Sequence, residues 1–502
     1  MKRLHFRIAA AATAVFVALS CALYWIAARR TGGTYTYPID DAYIHLALAK
    51  NIATHGVYGL HEEGFTAASS SIGWPLLLGA LYRIWPSSNV AALASLGCAA
   101  CVPLAVRRAL TNLPEVPLSG KVHGAAQALV VLATPLVPLA LSGMEHTAHA
   151  LVLLLLVTEC VGVRASEASR WRSLRLGLLA FFATTLRYES FSTCALCILF
   201  LARTKAFERA AVVAVAAILP PVAFALYSKA HGWNALPNSV ILKARRWDGD
   251  MPGHVLAKLR EAPHLPLLFV LLATALFLTR RGSRGPGRKL AWVALGTLVA
   301  HTVFGAVGWF YRYEAYLLPL SIVALALLLA DLRTERSSAP KAALAIAGAM
   351  LLLLPRGFSA LRALPYASRN IFDEQVRTAR FLDDNFAGEE VLVNDIGAVA
   401  YFSKTRVVDL MGLANQETAR ARGMRIDRPL APGTLEKLST RTNVAVVYEQ
   451  WFRGEIPPGW TKVGAFETTN NRVCAFPEVA IYATKPSSVS RVRAAFERDE
   501  PW

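Results

Sequence analysis

The chain has 502 residues, 55% of them apolar, and a formal net charge of +19 at pH 7. Apolar runs recur through the first 355 residues and then stop, which excludes a single large soluble enzyme and describes a polytopic membrane domain with a polar tail. The charge excludes less: no basic aromatic nucleic-acid module is present, so no nucleic-acid partner is expected, and basic loops that set topology and touch anionic membrane lipid account for it.

Met1 to Arg7 is a short basic start before an uncharged span, Ile8 to Ala28. This run is longer than the core of a signal peptide, and Tyr24 and Trp25 stand where an interfacial belt would, so a retained anchor is expected. Met1 then lies in the cytoplasm and the first loop, residues 29–89, outside. In that loop Asp40 and Asp41 open a short helix with Tyr43, Ile44, Ala47, Leu48 and Ile52 on one apolar face. The helix is too short and polar to cross, so it is expected to lie along the membrane surface. Ile72 to Trp85 is apolar but short, and the positive-inside rule favours a segment that dips into or lies on the membrane.

Val90 to Val106 then crosses inward to Arg107, Arg108 and Lys121. Further spans are expected at His123–Leu141, Thr147–Val163, Leu176–Leu186, Phe191–Ala202, Ala210–Tyr227, His264–Thr279, Leu290–Gly308, Ala315–Ala330 and Ala342–Leu354. The basic loops around Arg164–Arg175, Arg203–Arg209 and Arg280–Lys289 fall on the inner side. Leu176–Leu186 and Phe191–Ala202 are short enough to form one broken element. The count is about eleven crossings. The fold class is therefore mainly α: a helical membrane domain over 1–355 and a soluble extracytoplasmic α/β domain over 356–502.

In the tail, Phe372–Phe386 reads as an amphipathic helix. Val391–Val393, Arg406–Leu410 and Val444–Tyr448 read as strands, with a last strand pair between Thr461 and Ala483. Six of the seven cysteines lie in apolar runs, where they read as small buried hydrophobes; Cys98-x-x-Cys101 and Cys194-x-x-Cys197 have no histidine at ligand spacing.

With this topology the unusual polar residues share the outer side: Asp40, Asp41, His45, Lys50, Glu62, Glu63, Glu145, His146, Arg187, Glu189, Lys243, Arg245, Arg312 and Glu314. Carboxylates there can take a proton from a hydroxyl or hold a cation, and arginine or lysine can hold a phosphate. Plainer readings stand beside these. Arg187 with Glu189, and Arg312 with Glu314, read equally as local ion pairs at helix ends. His45 on the polar side of the short helix reads as a solvated histidine, and Glu62 with Glu63 as a solvated turn. Asp40 or Asp41 reads as an N-cap, although one aspartate suffices and two adjacent charges repel.

Several motifs recur in order along the chain: Asp40-Asp41-Ala42-Tyr43-Ile44, Glu63-Gly64-Phe65-Thr66, Ser142-Gly143-Met144-Glu145, Arg187-Tyr188-Glu189, Leu236-Pro237-Asn238-Ser239 with Lys243, and Arg312-Tyr313-Glu314-Ala315-Tyr316. The tail adds Asn394-Asp395-Ile396-Gly397-Ala398 and Val408-Asp409-Leu410-Met411-Gly412. Together they resemble the bacterial polytopic glycosyltransferases of the GT-C class, nearest to the mycobacterial arabinofuranosyltransferases and more distantly to protein O-mannosyltransferases and lipid A aminoarabinose transferases. The resemblance implies a sugar carried on polyprenyl phosphate as donor and an extracytoplasmic glycan, lipid or protein hydroxyl as acceptor, in the bacterial plasma (inner) membrane. It implies that Asp40 or Asp41 is the general base of an inverting displacement. It also implies that Lys243, Arg187 and Arg312 receive the phosphate leaving group, with His45, Glu145, His146, Glu189 and Glu314 in contact with substrate. The residues admit a divalent metal at Asp40, Asp41 and His146 without a ligand spacing that requires one.

Two other classes stay open on the residues alone. A transporter or flippase would show internal repeats and charges near the bilayer midplane, and this chain shows no repeat and keeps its charges at the edge. A membrane-anchored binding protein would put its chemistry in the tail, which carries no nucleophile motif or metal spacing.

Overall fold

The computed structural model describes residues 2–114, 118–163, 169–243, 250–279, 285–334 and 339–499, with the side chains of 333, 334, 339 and 340 left aside. The positions Arg164, Arg245 and Arg280 lie outside the described residues. The chain divides into two compact units: Met1–Ala22, Ala92–Val222 and Trp247–Arg362 form one, and Leu23–Ala91, Ala223–Arg246 and Ala363–Trp502 form the other.

Helices account for every span read from the apolar pattern, with altered ends and breaks. Lys2–Arg30, Val90–Asn112, Phe207–Ala230 and Lys341–Phe386 are long and apolar enough to cross a membrane, and Met251–Glu261 with His264–Leu278, bent by 95°, makes a fifth candidate. His146–Val161, Ser190–Arg203 and Leu317–Leu332 are apolar but shorter. Sixteen residues of helix rise only about 24 Å, against a hydrocarbon core of about 30 Å. By length and composition the described helices therefore support four or five spans, and the expected count of about eleven is not reached. The long helices leave apolar side chains outward: Val215, Ile218, Leu219, Val222 and Leu226 are all exposed on Phe207–Ala230. Such stripes fit acyl chains, and the protein is an integral membrane protein.

In the first unit, Leu317–Thr334 packs against Gly120–Ala133, His264–Leu278, Pro286–Phe304 and Ala339–Met350. The span expected over His123–Leu141 is broken between Gly120–Ala133 and Leu136–Leu141. Pro135 at the break has no N–H to continue the helix ladder. Leu176–Leu186 and Phe191–Ala202 belong to two separate helices, Arg170–Leu186 and Ser190–Arg203, divided by Arg187-Tyr188-Glu189. The two ends of helix His146–Val161 carry different charge clusters. Near its C-terminal end the buried Glu159 pairs with Arg108, Arg172 and Arg175, which brings together two of the basic stretches expected on the inner side. Not every apolar-run cysteine is enclosed: Cys21 and Cys101 are exposed on their helices.

The second unit joins the first loop to the tail. Helix Asp41–His55 ends at Gly56, whose φ of 70° turns the chain back and whose N–H caps the carbonyls of Asn51 and Ile52. It packs on Gly73–Ile84 and on the short helix Gly397–Phe402. Residues Ala42 to Ala49 are all buried, so this helix is enclosed and does not rest on a surface with one polar side in water. The tail begins within a continuous helix running to Phe386, which includes a π-helical turn at Phe372–Val376.

A five-stranded sheet follows: β1 (Glu390–Val393), β2 (Arg406–Asp409), β3 (Val444–Val447), β4 (Thr461–Glu467) and β5 (Glu478–Ala483), in the order β2-β1-β3-β5-β4. β1 pairs in parallel with β2 and β3, and β5 is antiparallel to β3 and β4. One face covers a core of Leu392, Val408, Leu410, Leu435, Leu438, Phe452 and Trp460. The chain leaves β1 to one side for β2 and returns on the other side for β3. That reversal opens a crevice at the carboxyl ends of β1 and β3, the usual place for a polar site in an open α/β sheet.

Candidate functional site

The crevice at the ends of β1 and β3 holds a network of bonded polar groups. Asn394 follows β1, and its Oδ1 accepts from the N–H of Tyr448, which follows β3, at 2.8 Å. Gln375, in the π-helical turn, bridges two carboxyls: its Nε2 donates to Glu374 Oε1 at 2.7 Å and to Asp395 Oδ2 at 3.0 Å. Tyr448 Oη also donates to Glu374. Glu374 is 1% exposed, and its Oε2 has no hydrogen-bond partner among the described residues. A π-helical turn adds one residue to the helical register and re-aims side chains, and such turns concentrate at functional sites.

Asp40 enters the same crevice from the first loop. Its Oδ2 accepts from the N–H of Gly397 at 2.7 Å and its Oδ1 from the N–H of Ala398 at 2.8 Å. It precedes helix Asp41–His55 but makes no side-chain cap there, so the N-cap reading does not hold for Asp40. The approach depends on Gly397, where a Cβ would fall 2.8 Å from Asp40 Oδ2 and closer still to the Asp40 carbonyl oxygen. Burial, the Asp395 carboxyl and the adjacent Asp41 push the Asp40 carboxyl well above the usual range, while the two amides pull the other way. Asp395 is also raised, chiefly by burial, against the hydrogen bond from Gln375. Asp41 opens the helix and is half-buried. His45 is 3% exposed, which replaces the solvated histidine expected on a polar face, because that face is covered as well. Lys50 Nζ donates to the Tyr401 carbonyl at 3.3 Å, and Glu62 pairs with His55 at 3.1 Å on the exposed side.

The Leu236-Pro237-Asn238-Ser239 motif proves to be a tie. Asn238 is fully buried; its N–H donates to the Ala67 carbonyl at 3.0 Å and its Nδ2 to the Gly412 carbonyl at 3.0 Å. Gly412 sits at φ 83°, in the turn that follows β2, where Asp409 accepts from the N–H groups of Met411 and Ala414. Lys243, at the end of helix Asn238–Lys243, is exposed.

The remaining expected residues meet in the first unit, around Tyr313. The Arg187 guanidinium lies 5.6 Å and that of Arg312 4.8 Å from the Tyr313 ring, and the His146 ring stands edge-on at 6.1 Å. Arg187 Nη1 donates to Glu145 Oε1 at 2.8 Å and its Nε to Glu189 Oε2 at 3.1 Å. Its charge is thus met by two carboxylates, a larger cluster than the pair expected with Glu189 alone. Arg312 Nη2 donates to Tyr313 Oη at 2.9 Å. Glu314 pairs with Arg356 at 2.8 Å, a residue 42 positions away, with His264 at 3.5 Å and the Gly308 N–H also directed at it. Glu145, His146, Arg187, Arg312 and Glu314 are all buried, which marks a charged interior rather than solvated helix ends.

Among the described residues, no three His, Cys, Asp or Glu side chains are arranged to hold a metal ion, so the donor set does not fit the divalent metal considered for Asp40, Asp41 and His146. Sequence reasoning missed Glu374, Gln375, Asp395 and Tyr448 as site residues. Asp395 stood in a quoted motif, but nothing local tied it to Asp40, 355 positions earlier.

A family profile described as a domain of unknown function (DUF8728) matches residues 369–482, the part of the tail that contains the crevice. No curated protein matches the sequence. The fold is similar to that of ArnT from Cupriavidus metallidurans, whose crystal structure is bound to undecaprenyl phosphate: the TM-score is 0.55 at 14% identity, over 95% of this chain and 98% of that one. This likeness bears out the expected GT-C-type architecture.

Proposed function

We propose that the protein is a membrane glycosyltransferase that moves a sugar from a polyprenyl-phosphate donor to a hydroxyl of an extracytoplasmic glycan, lipid or protein. The observation that carries this reading is the Asp40 carboxyl, fixed by two backbone amides beside a second carboxyl that raises its proton affinity. A base held in one place with a raised proton affinity suits removal of a proton from an acceptor hydroxyl near neutral pH. The Asp40–Asp41 pair supplies that base. The fold shared with ArnT, together with the lipid phosphate bound to that protein, supports the choice of donor class.

In this reading the acceptor oxygen attacks the anomeric carbon as its proton passes to the base, and the bond to the lipid phosphate breaks with inversion. Lys243, Arg187 and Arg312 are the cations assigned to the departing phosphate. The two carboxylates on Arg187 make it the weakest of the three for that role, since its charge is already met. His45, Glu145, His146, Glu189 and Glu314 are assigned to shaping the substrate surface. The N-terminus is placed in the cytoplasm and residues 356–502 outside the plasma (inner) membrane of a bacterium.

The test is sugar transfer in nanodiscs with a panel of radiolabelled polyprenyl-phosphate sugars and total cell-envelope acceptor. Wild type is compared with Asp40→Asn and Asp41→Asn. Loss of transfer in one variant identifies the base. Movement of a lipid-linked sugar across liposomes, with no transfer and no effect of either substitution, establishes the flippase reading in its place.

A further inference from the structure

The tail contributes more than a cover for the first loop. Asp395 lies two residues before the amide that holds Asp40, at the carboxyl end of β1, and its Oδ2 is pinned by Gln375 Nε2 at 3.0 Å. The same amide group is fixed on its other side by Glu374, which Tyr448 bonds in turn. Three residues from two separate tail segments, Glu374 and Gln375 in the π-helical turn and Tyr448 after β3, thus define where the Asp395 carboxyl stands. None of these bonds is needed to form the sheet, whose ladders are complete without them.

We propose that Asp395 is a positioning residue of the reaction, a second carboxyl that Gln375 holds in place just before the two amides that bind Asp40. The inference deepens the glycosyltransferase reading and rests on it for the catalytic use of Asp40. The physical basis is that two carboxyls close together at one half-buried site repel each other when both are ionised, which favours keeping a proton on one of them. The groups that face Asp40 are Asp41 and Tyr43 from its own helix, Asp395 from the loop after β1, and Glu374 from the π-helical turn, with Arg380 acting on Tyr43. Of these, Asp395 is the largest repulsive charge on Asp40. Glu374 extends the network through its Oε1, which accepts from Gln375 Nε2 and from Tyr448 Oη. Gln375, whose Oε1 takes a bond from Cys474 Sγ at 3.7 Å, is oriented so that its NH2 group faces both acids.

The experiment reads Asp40 directly. Full-length protein in nanodiscs is titrated while the protonated-carboxyl C=O stretch is followed by infrared difference spectroscopy, and the signal absent from Asp40→Asn is taken as that of Asp40. The expected result is a midpoint far above that of a free aspartate in wild type. Asp395→Asn moves it down by about one pH unit or more, a tenfold change in proton affinity. Asp395→Glu keeps it high. The acid limb of the transfer rate follows the same shift, with kcat changed more than KM. Circular dichroism and the melting temperature confirm folding, and Asp395→Ala is the second charge-removing variant if Asp395→Asn does not fold. An Asp40 midpoint that stays in place in the folded charge-removing variant overturns the proposal. A midpoint that shifts in a protein with no transfer from any lipid-linked donor upholds the carboxyl coupling and refutes the glycosyltransferase reading instead.

Discussion

Gly397→Ala isolates the contact on which the site depends. Gly397 has no positive φ, so alanine meets no backbone strain there, and helix propensity favours alanine over glycine by up to about 1 kcal/mol. The obstacle is spatial. The new Cβ would stand 2.8 Å from Asp40 Oδ2, where ordinary contact begins at 3.4 Å, so the carboxylate must retreat by about 0.6 Å, and the Asp40 carbonyl by more. Misplacement of a reacting group by about 1 Å costs roughly 100-fold in rate, equivalent to about 2.7 kcal/mol of activation free energy. The expected outcome is a fall in kcat/KM for sugar transfer of at least that size, with a lowered melting temperature, because the Asp40 backbone carbonyl must also give way. The assay is the nanodisc transfer reaction, paired with thermal unfolding of the same preparations. Transfer within about threefold of wild type in a folded Gly397→Ala protein would refute the claim that the amides of Gly397 and Ala398 hold Asp40 for catalysis.

Two further outcomes test the charge clusters. Glu145→Ala removes one of the two carboxylates on the buried Arg187 and is expected to destabilise the protein by about 3 kcal/mol; an unchanged melting temperature in detergent would show that the Glu145 pair carries no weight. Burial pushes the Asp409 carboxyl up to about 6 against the pull of the Ala414 and Met411 amides. Because the folded value lies above the unfolded one, the Asp409 contribution to stability is fully present in acid and is lost as the pH rises towards about 6. The melting temperature of wild type minus that of Asp409→Asn should therefore fall across that interval and level off above it, and a difference that widens would reverse the sign assigned to the group.

Much of the architecture was legible from local pattern. The short β-branched, apolar runs at Val391–Val393, Arg406–Leu410 and Val444–Tyr448 became β1, β2 and β3 within a residue or two, because a brief continuous apolar run bounded by polar loops suits a strand covered on both faces. The apolar stretches became helices for a similar reason, and Asp40 and Asp41 did stand at a helix start. Hydropathy could not report how much helix each stretch would form, which is why spans counted from it exceed those long enough to cross. The motifs also announced that Glu145, Arg187 and Arg312 belong together, and they meet around Tyr313.

What the tertiary structure alone decided is who faces whom. His45 looked solvated because its own helix offers it a polar side, and only the packing of neighbouring elements around that helix buries it. Glu314 had an arginine two residues away in sequence, yet its carboxylate reaches Arg356 on a helix that returns from far along the chain. The Asp40 cradle is the clearest case. Its partners Gly397 and Ala398 open the short helix after β1, and the sheet order sets that helix start, with Asp395 just before it, at the carboxyl end of β1. Periodicity and capping are short-range consequences of backbone geometry and can be read from neighbours in the chain. Proton affinity and ion pairing depend on burial and on charges brought close by folding, and these have no signature in local sequence.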